Sequence, residues 1–275
     1  TLPPSPMSPS DERSACLKCC LLIDEASSTL HLPLPTSLTA KHFLRRFFAS
    51  QRYQDHPRFQ LAACCLFLSC KVEETPRKVQ LVLATCCNLL HAHAHAVDPP
   101  APLPFDVPFD LAGPGPACDP KSKPFQKLKE EVIARERILL HTLSFDLSVG
   151  HAKDHVVVAA KALHARAEAL ARQTGEPAAP GCDASAQRLA QYALGAINDA
   201  AYSAASLGLP EAELAKAAVA FAAVQLGLAD AAMLGGSGRH AGPRRFYELL
   251  GAEPGTLGRF MEALEGVHEA GRTWT

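Results

Sequence analysis

Residues 59–78 read FQLAACCLFLSCKVEETPRK, and from Phe59 to Lys71 this stretch is apolar on nearly every side. A helix without a polar face belongs in the middle of a bundle, so a helical core is expected around it. Upstream, Asp55-His56-Pro57 is a stop and restart, with proline tolerated in the first turn of the new helix. Before that, Leu38, Phe43, Leu44, Phe47 and Phe48 recur at helical spacing behind a cap at Thr36 or Ser37. Cys16 to Leu30 forms an earlier helix, stopped ahead of Pro33 and Pro35. Downstream, Thr75-Pro76 opens a helix to about Leu90. Residues 98–120 hold eight prolines and are read as a loop insertion, tolerable because closure entropy grows slowly with length. Helix returns from Lys121 to Leu143, followed by Ser-Phe-Asp-Leu. The first unit therefore has five helices.

A second helical set starts near His151. A Gly/Pro-rich break at 174–184 interrupts it, and helices follow around 185–205, 210–228, 243–250 and 255–270. The expected architecture is all-α, with two helical units in tandem. Residues 1–14, rich in proline and serine, form a disordered lead-in; the units span 15–148 and 149–275.

The chain has 275 residues, of which 48% are hydrophobic, 20% charged and 6% aromatic. This is a globular composition, and so few aromatics leave the core to Ala, Leu, Val and Cys. A net charge of −1 and a pI near 6.8 lack the basic excess that phosphate-gripping proteins carry. No stretch approaches the ~18 apolar residues of a membrane helix. The opening Thr-Leu-Pro-Pro-Ser-Pro has no secretory apolar core, and without an initiating Met it is compatible with a fragment or a processed product. The ten cysteines include Cys64, Cys65 and Cys70 in one apolar run and Cys86-Cys87 in another. They read as small buried hydrophobes of a reducing compartment.

Glu136 stands out. At about 100° per residue, Leu128, Val132, Ile133, Leu139, Leu140 and Leu143 form one apolar arc, and Glu136 falls near its centre. An unpaired buried carboxylate costs several kcal/mol, so a partner is required. Lys71, one turn beyond Phe67 and Leu68 at the end of the most apolar helix, is the natural candidate. Either the two pair with each other as a structural ion pair, or they meet a partner protein at the mouth of the bundle.

The stretch 59–78, with KVEETPRK at 71–78, and residues 129–147, KEEVIARERILLHTLSFDL, are similar to the cyclin box of the transcription-type cyclins, most like the K type with the T and L types near. Ile197-Asn198-Asp199 and the helix after Pro210 resemble a weaker second cyclin box. The resemblance implies a fold of tandem five-helix cyclin-box domains and a non-catalytic subunit. Such a subunit binds and activates a cyclin-dependent protein kinase in the nucleus, and for this family the substrate is the C-terminal tail of RNA polymerase II. It also implies that Lys71 and Glu136 anchor the kinase, and that Phe67, Glu74, Leu140 and Phe145 match further contact positions. No cofactor is implied. The chain departs from the family in three places: Cys-Leu-Leu-Ile-Asp-Glu-Ala lacks the Met-Arg…Trp docking patch of cell-cycle cyclins, Phe246-Tyr247 replaces paired tryptophans, and the 98–120 loop is longer.

Other readings are weaker. Cys16-x-x-Cys19-Cys20 with His91, His93 and His95 does not match a closed four-ligand zinc site. Ser5-Pro6 and Ser8-Pro9 fit proline-directed phosphorylation or mere composition. Arg244-Arg245 reads as a solvated helix start. No constellation for an enzyme is found. A cyclin-fold general transcription factor binding promoter DNA is the alternative, but it predicts a basic face and often a zinc ribbon.

Overall fold

Ser8 caps the first helix where the sequence reading places disorder. In the computed structural model, which describes residues 7–94, 119–174, 182–226, 250–251 and 253–270, α1 spans Pro9–Thr29. The Ser8 hydroxyl accepts from the Asp11 amide at 3.2 Å. Pro9 lies in the first turn, and Asp11 and Glu12 sit at the positive end of the helix dipole. Residues 9–14 are thus helical, a correction to the expected lead-in; residues 1–6 lie outside the described residues.

α2, Leu34–Ser50, starts ahead of the expected Thr36 or Ser37 cap. Pro33 occupies the cap position without a side-chain bond, and Pro35 lies in the first turn. Thr36 and Ser37 turn inward instead: Ser37 donates to Asp24, and the Thr36 hydroxyl lies 3.0 Å from that of Thr75. Leu38, Phe43, Leu44, Phe47 and Phe48 are all buried. A single 3-10 turn at Tyr53–Asp55 stacks Tyr53 on Phe48, with ring centroids 3.8 Å apart.

α3, Arg58–Val72, buries eleven of its fifteen residues and touches α1, α2, α4 and α5. The absence of a polar face is the cause of that central place. Leu66 is fully buried there. Leu66→Ala should lower stability by about 2–5 kcal/mol, read as a shift of the urea unfolding midpoint.

α4 is Val79–Ala94, not a helix from Thr75, because the Thr75 amide is already bonded back to the Cys70 carbonyl at 2.9 Å. α5 is Lys123–Thr142, capped by Ser122, whose hydroxyl accepts from the Phe125 amide. Of the expected loop insertion at 98–120, residues 98–118 lie outside the described residues.

The chain divides into two compact units, the first running to Val149 and the second being Gly150–Val267. The second unit contains α6, Lys153–Thr174, α7, Cys182–Ala200, α8, Glu211–Gln225, and, as far as Val267, α9, Pro254–Ala270. α7 ends earlier than expected and a separate 3-10 turn follows at Ala204–Ser206. The core is built on alanine: Ala215, Ala217, Ala218, Ala220, Ala222 and Ala223 of α8 are buried beside Val219, Phe260 and Leu264. The expected helix at 243–250 lies outside the described residues apart from Leu250. Among the described residues all regular structure is helical, and no helix is long and apolar enough to cross a membrane.

Candidate partner-binding site

α3 and α5 end in the same way. At the end of α3, the Thr75 amide bonds to Cys70 O at 2.9 Å and the Glu74 amide to Lys71 O at 3.4 Å. At the end of α5, the Phe145 amide bonds to Leu140 O at 2.9 Å and the Ser144 amide to His141 O at 3.0 Å. These are Schellman turns, which need a left-handed residue after the cap, usually glycine. Here non-glycine residues take that conformation, Glu74 at φ 52° and Ser144 at φ 54°, and Phe145 follows at φ 56°. Left-handed backbone costs an L-residue roughly 1–2 kcal/mol, and such strain collects at binding clamps and switches.

Lys71 and Glu136 are brought together. Lys71 Nζ lies 2.5 Å from Glu136 Oε1 and 4.2 Å from the centroid of the Phe67 ring, so it has both a carboxylate and an aromatic face. The Lys71 side chain is 47% exposed and that of Glu136 15%, which places the pair at the surface. At the other end of α3, Gln60 locks it to α5: its amide donates to Glu131 Oε2 at 2.7 Å, and Arg135 Nε donates to its carbonyl.

The apolar arc of α5 is only partly a core face. Leu128, Val132, Leu139 and Leu143 are buried, Leu140 is half-buried, and Ile133 is exposed, as is Ile138. Glu136 therefore stands at the border between core and solvent, not in the middle of the core. Phe145 is 60% exposed, its ring edge-on to His141 at 5.2 Å, and Glu74 is exposed on its turn. Phe67 is half-buried. The result is a charged pair over Phe67 in a unit that also leaves Ile133, Leu140 and Phe145 at least partly exposed, which offers directional hydrogen bonds alongside apolar surface.

Among the described residues a deeper ion pair lies elsewhere, one that the sequence reading missed. Lys41 of α2 is fully buried, with its Nζ 2.9 Å from Asp24 Oδ2 of α1. Desolvation by burial lowers its pKa, which Asp24 opposes. Arg45, one turn on, is also buried and donates to the Lys41 carbonyl at 3.2 Å. The signal was available, since Leu38, Lys41, Arg45 and Phe48 fall on one helical face.

Burial pushes the Cys64 thiol up to about 12 and that of Cys70 up to about 11, so these behave as apolar groups at neutral pH. Cys16 differs: bonding with Cys20, then with Tyr53 and the Arg45 charge, outweighs burial and holds its thiol down to about 7. His93 Nε2 is 2.7 Å from Glu25 Oε2, and His95 lies outside the described residues.

Residues 10–148 match the family described as "Cyclin, N-terminal domain". The chain is 34% identical to human Cyclin-K over 141 residues, which cover 51% of this chain and 20% of that protein. It is 28% identical to mouse Cyclin-T1 over 136 residues, 50% of this chain and 16% of that protein. The chain thus spans about a fifth of the length of these relatives. Among solved structures, one chain of the yeast RNA Pol II CTD kinase CTDK-1 complex superposes with a TM-score of 0.57 at 16% identity, over 97% of this chain and 72% of that one. A chain of the Chaetomium thermophilum CAK complex bound to ATP-gamma-S gives 0.56 at 16% identity, over 97% and 67%. At that identity the likeness concerns the fold, and it extends over both helical units. With the family match spanning half its length, the chain belongs to the cyclin family, and the transcription-type cyclins K and T are its relatives within it.

Proposed function

We propose that this chain is the regulatory subunit of a nuclear cyclin-dependent kinase that phosphorylates the C-terminal tail of RNA polymerase II, with its second unit serving as a divergent cyclin box. The observation that carries this reading is the Lys71–Glu136 pair, held at the surface with Lys71 over the Phe67 ring. A kinase becomes active when its own Lys–Glu ion pair closes, and the helix bearing that Glu controls the closure. A rigid apolar platform can hold such a helix inward. Lys71 then offers donors and Glu136 acceptors to backbone groups of the helix, which fixes its register. Glu74 and Phe145 make the outer contacts. The chain supplies no step of phosphoryl transfer.

Expression of the tagged chain in a eukaryotic cell, followed by mass spectrometry of what co-purifies, tests the reading. A cyclin-dependent kinase in near-stoichiometric amount is expected. Recovery without any kinase, together with retention on promoter DNA at moderate salt, would contradict it.

A further inference from the structure

Two consecutive left-handed residues at the end of α5, Ser144 and Phe145, are closed by the Schellman bonds to His141 and Leu140 but carry the left-handed cost twice. Both carry a Cβ that disfavours this backbone, and the turn is exposed. Something outside the turn must over-determine it.

That something is α2. Arg46 Nη1 donates to the Asp146 carbonyl at 2.9 Å, and Nη2 donates to the Asp146 carboxylate at 3.1 Å. One guanidinium therefore grips the backbone and the side chain of the residue next to Phe145. Asp146 in turn ties down the rest: its amide bonds to Leu143 O at 3.0 Å, and its Oδ1 accepts from the Ser148 amide at 3.3 Å. Most surface ion pairs contribute little. This one is two-pronged and reaches backbone, the arrangement in which a planar guanidinium confers geometry.

The same helix grips the other turn. Thr39 donates to Glu73 Oε1 at 2.6 Å, and Thr36 lies against Thr75, one residue to either side of Glu74. Thr36 and Arg46 are ten residues apart, about 15 Å along a helix. Thus α2 fixes both turns that present the outer contacts of the site.

We infer that Arg46 is a positioning residue for partner binding, latching the 143–148 turn so that Phe145 is presented in its left-handed conformation. The consequence for binding rests on the kinase reading above, whereas the latch rests on the turn geometry alone.

Amide exchange of the free chain and affinity for the co-purifying kinase are measured for Arg46→Met, Phe145→Ala and the double variant. Arg46→Met should speed exchange of the Phe145 and Asp146 amides about tenfold and weaken kinase binding about tenfold, near 1.4 kcal/mol, with the melting temperature little changed. In the Phe145→Ala background it should add nothing to the affinity loss. Arg46→Lys, which keeps the charge and one bond, should recover part of both effects, and Asp146→Asn serves if the Arg46 variants fold poorly. Unchanged turn exchange would overturn the latch. An equal affinity loss with and without Phe145 would show a general effect and overturn the positioning role. Faster exchange with full affinity in all variants would overturn Phe145 as a contact, and the role of Arg46 in binding with it.

Discussion

Glu136→Ala is expected to weaken kinase binding by about 2–5 kcal/mol, the range for truncating one member of a charged contact that becomes desolvated in a complex. Lys71→Ala should do the same. The free chain should barely notice. Glu136→Ala leaves behind Lys71, which is 47% exposed and keeps access to water, and solvent-exposed pairs contribute roughly 0–1 kcal/mol. Lys71→Ala leaves a Glu136 only 15% exposed and should cost somewhat more. A structural ion pair predicts the reverse, a fall in melting temperature with binding lost only in proportion to the unfolded fraction. Calorimetric melting and kinase titration on the same samples separate the two.

Asp24→Ala should give the largest loss of stability, about 3–5 kcal/mol, because removing one partner of a buried pair leaves the other charge uncompensated. Lys41 is fully buried and loses the carboxylate 2.9 Å away. Lys41→Met removes the charge along with the need for a partner and should cost far less, or stabilise. Denaturant unfolding of the two variants, compared with wild type, reads the difference directly. Equal losses would mean that Asp24 matters for its bond from Ser37 and not for neutralising Lys41. The contrast places the Lys41–Asp24 and Lys71–Glu136 pairs in different roles.

Much of this arrangement was legible in the residues. The run Phe59–Lys71 carries no polar face, and it is the central helix α3. Leu38, Phe43, Leu44, Phe47 and Phe48 of α2 repeat at helical spacing, and all five are buried. Where the reading failed, a local rule competed with another. Ser8-Pro9 followed by Asp11 and Glu12 is a helix start, but the proline and serine content around it argued for disorder. Thr75-Pro76 looks like a helix start and is the tail of the preceding Schellman turn, a choice set by the Cys70 carbonyl. On α5, periodicity found the correct face without saying how much of it is covered, so Ile133 emerged exposed and Glu136 at the border. Lys41 and Arg45 went unremarked because neither spoils the spacing of its neighbours. The latch from Arg46 to Asp146 spans 100 residues, and no local pattern announces it.

The most direct test of the central claim is activation in a purified system. The kinase that co-purifies with the chain is prepared alone, inactive, and the chain is titrated into it with a peptide repeat of the RNA polymerase II tail as substrate. Phosphorylation should rise from background and saturate at one chain per kinase, with Glu136→Ala shifting the half-point to higher concentration by about 30-fold or more. Phosphate transfer by the chain alone, or kinase activity indifferent to its addition, would contradict the account.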